Sequence, residues 1–228
     1  VQSRTVKLVR GQPGQEFPDY KEAIVRFPII SGLPNRAIQR KVQEAVSLKT
    51  VFESSLEEMR QEFQTRSYWL SEIEYEINYN QNFLLDITFT RSGVGAYPSS
   101  YDHHVVVDLR TGNPLTAADL FEPKSLPQLR ELVDQALRSQ VATKLAELRQ
   151  TYDPSDLEFV QERLEKRSFE QKDLDTFSIS DRGITFFYDY DLPHVAKPAE
   201  PSGRFFFTYE QLKDYIQPQG PLRPFTTR

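Results

Sequence analysis

The sequence predicts an α+β fold, with antiparallel sheet or sheets and long amphipathic helices packed on one face. Alternating apolar and polar segments joined by short turns form hairpins, and hairpins require antiparallel pairing. Apolar residues at steps of three and four mark helices between them. The regular strand–helix alternation of a doubly wound parallel sheet is missing.

In chain order, Arg4 to Val9 reads as a strand, followed by the breakers Gly11, Pro13 and Gly14. Tyr20 to Ile30 reads as extended chain that ends at Ser31, Gly32 and Pro34, with Asn35 suited to cap a helix. Ile38, Val42, Val46, Phe52, Leu56, Met59 and Phe63 then recur mostly at steps of four or three, with Leu48 in the one irregular gap. That spacing predicts a single amphipathic helix over 36–65. Ile73, Tyr75, Ile77 and Tyr79 alternate with Glu72, Glu74, Glu76 and Asn78, the pattern of a half-buried strand. The turn 80–82 leads into a second alternating strand, 83–90, and completes a hairpin.

A strand from His103 to Leu109 follows the loop at Ser92, Gly93, Gly95 and Pro98. Thr116 with Asp119 forms a capping box that opens a short helix. Leu129, Leu132, Val133, Ala136, Val141, Leu145 and Leu148 mark a long helix, and Pro154 opens another. Thr176–Ser180 and Ile184–Tyr190 flank the turn 181–183 as a hairpin, Arg204–Phe207 is a further strand, and Thr208 with Gln211 caps a short helix. The proline-rich tail from Gln217 is expected to run over the surface. Two subdomains are expected, 1–99 and 100–228.

Composition narrows the function. The chain has 228 residues, and its 16 Phe and 11 Tyr supply the bulky apolar groups that disordered chains lack. Its 28 basic and 33 acidic residues are interleaved, so no basic cluster is available to track phosphates and nucleic acid is not an expected partner. No apolar run reaches the roughly 18 residues that span a bilayer. Cysteine is absent, which excludes disulfides and thiolate chemistry.

No catalytic constellation stands out, and no cofactor or metal is expected. His103 and His104 are adjacent on a strand and point to opposite faces, so the two cannot chelate one ion. There is no G-x-S-x-G elbow, and Gly93-Val94-Gly95 lacks the third glycine of a phosphate loop. Glu72, Glu74 and Glu76 read as a solvated strand face. The density of aromatic residues near 97–101, 186–190 and 205–209 is more suggestive, because rings with polar tips stack on sugars or anchor protein interfaces. The candidate binding residues are Tyr97, Tyr101, His103, Tyr188, Tyr190 and His194.

The segment from Tyr101 through Asp108-Leu109-Arg110-Thr111-Gly112 to Leu115-Thr116-Ala117-Ala118-Asp119-Leu120-Phe121 resembles the RsiV-like domain family. Phe177 to Tyr188, then Tyr190, Gly203 and Phe207-Thr208-Tyr209-Glu210-Gln211-Leu212, is similar to the same family. Phe27-Pro28-Ile29-Ile30-Ser31-Gly32-Leu33 and Gly93-Val94-Gly95-Ala96-Tyr97-Pro98 look like the partner domain of PdaC-type proteins. Where many relatives have a histidine after Gly-Ala, this chain has Tyr97, and its loop between Tyr190 and Gly203 is longer. The resemblance implies an extracytoplasmic bacterial domain that is periplasmic, secreted or anchored through an upstream segment. Such domains occur in a lysozyme-sensing anti-sigma factor and beside the catalytic domain of a peptidoglycan deacetylase. The expected role is therefore non-catalytic binding or sensing of peptidoglycan or of a protein such as lysozyme. Two alternatives stand beside it: a wall-polymer hydrolase using His103 or His194 with nearby acids, or a deacetylase-associated enzyme domain, and a structural interaction domain of an envelope protein.

Overall fold

In the computed structural model, which describes residues 1–10, 21–64, 69–95 and 97–226, the chain divides into two units, Val1–Leu115 and Thr116–Arg228. The breaker link at Gly11, Pro13 and Gly14, together with Tyr20, Ala96 and position 65 of the expected helix, lies outside those residues.

The first unit is a five-stranded sheet in the order β1 (Gln2–Val9), β2 (Glu22–Ile29), β3 (Leu70–Gln81), β4 (Leu84–Val94) and β5 (Pro98–Asp108). The expected boundary after residue 99 falls inside β5, which pairs with β4 from Pro98 to Asp108 and so belongs wholly to this unit. All pairs are antiparallel except β2 with β3. That parallel pair departs from the antiparallel expectation, because the chain leaving β2 returns through helices instead of a tight turn.

The single helix expected over 36–65 is three: α1 (Arg36–Ala45), α2 (Leu48–Phe52) and α3 (Leu56–Phe63). Asn35 Oδ1 accepts from the N–H groups of Ala37 and Ile38, at 2.8 and 3.3 Å. Ser47 caps α2, and Glu53 ends it in the left-handed region at φ 56°. Ser55 and Glu58 then form a reciprocal capping box that starts α3. Each serine offers the backbone a side-chain partner that competes with continued helix. The apolar stripe survives the breaks, since Val42, Val46, Phe52, Met59 and Phe63 still bury against Val25, Ile73, Ile87 and Phe89 of the sheet.

The opposite face of this sheet is polar. It carries Glu72, Glu74 and Glu76 on β3, Thr88, Thr90 and Ser92 on β4, and Ser100, Asp102 and His104 on β5. Hydrogen bonds cross the strands from Thr90 to Asp102 at 2.8 Å, Thr88 to His104 at 3.0 Å and Ser92 to Ser100 at 3.1 Å. Such alternation is what an antiparallel sheet with one buried face requires. Ile77, expected to be buried with Ile73, is exposed, beside a register irregularity between Ile77 and Tyr79.

The second unit sets α4 (Ala117–Leu120), α5 (Leu126–Leu148) and α6 (Pro154–Glu165) before a three-stranded antiparallel sheet. The sheet comprises β6 (Phe177–Ile179), β7 (Gly183–Phe187) and β8 (Arg204–Thr208), followed by α7 (Tyr209–Leu212) and α8 (Arg223–Thr226). Helix α5 buries Leu129, Val133, Leu137, Val141, Leu145 and Leu148 at steps of three and four. It also buries Asp134, whose carboxylate accepts from the Phe169 N–H at 2.8 Å and from Arg138 Nε at 2.7 Å. Burial alone would raise the Asp134 pKa, but those two donors lower it below the usual carboxylate range.

The tail from Gln217 does not simply cross the surface. Gln217 Nε2 donates to the carbonyls of Ala118 and Phe121, Leu222 is fully buried, and Phe225 stacks on Tyr209 at 4.4 Å.

Candidate functional site

At the β4–β5 hairpin end of the first unit, side chains on the helix-facing side of the sheet form an aromatic rim. Strand register places Arg91 opposite Tyr101 and Phe89 opposite His103. The Arg91 guanidinium lies 4.8 Å from the Trp69 ring centroid and 5.9 Å from that of Phe52. Trp69 meets Tyr101 edge-on at 6.1 Å, and Phe52 meets His103 edge-on at 4.9 Å. Cation–π contacts of this kind hold rings and guanidinium in fixed relative positions.

The placement of Trp69 depends on Gly93. A Cβ at that position would lie 2.0 Å from the indole and 2.1 Å from the Trp69 carbonyl oxygen, so only glycine lets the two segments cross. The Trp69 carbonyl in turn accepts from the Val94 N–H at 2.8 Å.

The rim remains open to solvent at Tyr101, which is 50% exposed, and at Tyr97 in the β4–β5 turn, 58% exposed. Partial desolvation of the His103 ring, which packs on Phe52 while the residue stays solvent-accessible, and the nearby Arg91 charge push its pKa down and favour the neutral imidazole. The other histidine of the pair, His104, points to the polar face and meets Thr88, as strand alternation requires.

The remaining candidates lie in the second unit and separate into core and surface. Tyr190 is only 1% exposed, which removes it from the set of residues that can meet a ligand. Its hydroxyl donates to Gln140 Oε1 at 3.2 Å, the same oxygen that accepts from the Gly203 N–H at 2.9 Å. Burial raises its pKa, as expected for a phenol in the core. Tyr188 is half-buried, edge-on to Tyr190 at 5.1 Å and tilted against Phe169 at 5.9 Å. Tyr188 lies in the aromatic-dense segment 186–190, but the expected strand 184–190 stops at Phe187, and the Tyr188 N–H donates to the Gly203 carbonyl. His194 is exposed at the start of a 3₁₀ turn, His194–Ala199.

The structure thus brings Tyr101 and His103 together with Trp69, Arg91 and Phe52, which the sequence reading did not single out. One signal pointed to Trp69, the only tryptophan of the chain; Gly93, expected in a loop, instead lies within β4, where glycine marks close approach. Chemically, the rim offers ring faces, a fixed cation and a neutral imidazole. The carboxylate of the adjacent Asp102 lies on the opposite sheet face, held by Thr90, so it does not orient His103 as a catalytic base would require. Among the described residues, no group of three His, Asp or Glu is arranged to hold a metal ion, and no helix is long and apolar enough to cross a membrane.

No family model and no curated protein matches the sequence significantly. Solved structures do match. A DUF3298-family protein from Bacteroides fragilis aligns with a TM-score of 0.61 at 14% identity, covering 99% of this chain and 97% of its own. The chain shares its fold. A second DUF3298-family protein, from Pseudomonas aeruginosa, aligns with a TM-score of 0.59 at 13% identity and covers 96% of each chain. The likeness runs through both units, and at this identity it concerns the fold alone.

Proposed function

We propose that the chain is a non-catalytic, extracytoplasmic binding or sensing domain that recognises cell-wall glycan through the aromatic rim of its first unit. The observation that carries this reading is exposed Tyr101, edge-on to a tryptophan fixed by Gly93 and Arg91, with a second exposed tyrosine, Tyr97, in the β4–β5 turn. A pyranose presents C–H groups on its faces and hydroxyls at its edge, and an amphipathic ring beside a guanidinium meets both. The resemblance to RsiV-like and PdaC-type domains supports an envelope location and a ligand in the cell wall. A protein such as lysozyme would engage the same rings as interface anchors.

Isothermal titration of the chain with peptidoglycan fragments and, separately, with lysozyme tests this reading. Saturable binding of the fragments supports glycan recognition, and binding of lysozyme alone transfers the site to a protein partner. No heat with either, or turnover of a wall substrate that disappears in His103→Ala, contradicts it.

A further inference from the structure

The second unit carries a separate surface on its three-stranded sheet. Strand alternation sends Ile184, Phe186, Phe205 and Phe207 into the core and leaves Thr185, Phe187, Arg204 and Phe206 on the other face. Register aligns Ser178, Thr185 and Phe206 in one row across the strands and sets Phe187 opposite Arg204. The Arg204 guanidinium lies 5.8 Å from the Phe187 centroid, and Arg182, in the β6–β7 turn, lies 5.6 Å from that of Phe206. Phe206 remains 43% exposed. The three strands contain no acidic residue, although the chain as a whole carries a charge of −5.

We propose that this face binds an acidic saccharide, a pyranose chain that bears carboxylates. Phe206 and Phe187 supply flat apolar platforms for the sugar ring, and the hydroxyls of Ser178 and Thr185 match its edge. Arg182 and Arg204 supply planar donor forks suited to a carboxylate, each already oriented by the ring beside it. Arg204 on β8 and Arg182 in the turn, the latter beside Asp181, place two guanidinia on this face and favour an anion. The acidic chain around them disfavours a dense polyanion such as nucleic acid, which needs a continuous basic track. The proposal concerns residues of the second unit alone and does not rest on glycan binding at the rim of the first.

The test is isothermal titration of the full chain at low ionic strength with four probes: tetragalacturonate, maltotetraose, hexaglutamate and an eight-nucleotide oligothymidylate. Tetragalacturonate is expected to bind at least tenfold more tightly than each of the others. Phe206→Ala and Arg204→Gln should each weaken it at least tenfold, with the far-ultraviolet circular dichroism unchanged, because both side chains are exposed. Failure of tetragalacturonate to bind, equal binding of maltotetraose, or full affinity in both folded variants overturns the proposal. Tighter binding of hexaglutamate or of the oligonucleotide overturns it in favour of an acidic peptide or a nucleic acid.

Discussion

Replacing Gly93 by alanine tests how the aromatic rim is held together. The added methyl carbon would lie 2.0 Å from the Trp69 indole and 2.1 Å from the Trp69 carbonyl oxygen, so backbone and ring must both move. The displacement sacrifices the 2.8 Å hydrogen bond from the Val94 N–H and the 4.8 Å contact of Arg91 with the indole. Overpacking costs about 1–3 kcal/mol, a lost hydrogen bond about 1 kcal/mol and a cation–π contact about 0.5–1 kcal/mol. These terms overlap, so the expected loss is about 2–3 kcal/mol. Urea denaturation measures it, and because Trp69 is the only tryptophan its emission reports the same site directly. Gly93→Ala should shift that emission to longer wavelength and lower the unfolding midpoint with an unchanged denaturant slope. A variant within about 0.5 kcal/mol of the parent, the spread of ordinary surface substitutions, and with unaltered emission would refute the account of how Trp69 is seated.

Tyr190→Phe removes a buried hydroxyl from Gln140, which still holds the Gly203 N–H; it should cost about 1 kcal/mol in denaturation while leaving glycan titrations unchanged. Asp134→Ala leaves the Phe169 N–H buried without its acceptor and should cost about 2 kcal/mol by the same measurement. Because the folded pKa of Asp134 is lowered, its contribution is present above the unfolded value of about 4 and is lost as pH falls below it. The parent should therefore lose more stability than Asp134→Ala between pH 5 and 3, about one unit either side of that value. His103 also has a lowered folded pKa, so the unfolded chain takes up its proton first, and this contribution is present above about pH 6.5 and lost as pH falls. Stability measured from pH 7.5 to 5.5, one unit either side of that value, should fall less steeply in His103→Phe. Ser55→Ala breaks the capping box of α3 and should cost about 1 kcal/mol in denaturation.

Where the determinants were local, the sequence made them legible. Thr116 with Asp119 and Thr208 with Gln211 each specify a helix start within four residues, and both capping boxes form. The hairpin from Ile73 to Phe89 likewise follows from alternation around one turn. The breaks in the helical run 36–65 were harder to read, because the apolar spacing continues across them while Ser47 and Ser55 cap anew. The parallel β2–β3 pair depends on where a long crossover returns the chain, which no local pattern encodes. Within the candidate site, Tyr101 and Tyr190 look alike as tyrosines in aromatic segments. They differ in tertiary surroundings, one ring open to solvent on the hairpin rim and the other buried beside Gln140. Trp69 went unselected because its importance comes from Gly93, distant in sequence and adjacent only through the β3–β4 pairing.

Titrating the chain with soluble peptidoglycan fragments while following the emission of Trp69 bears most directly on the recognition role. A saturable change in the parent, weakened at least tenfold in Tyr101→Ala with the fold intact, is the predicted result. An emission that fragments leave untouched, or a response equally strong in Tyr101→Ala, would contradict the assignment of the rim as the ligand surface.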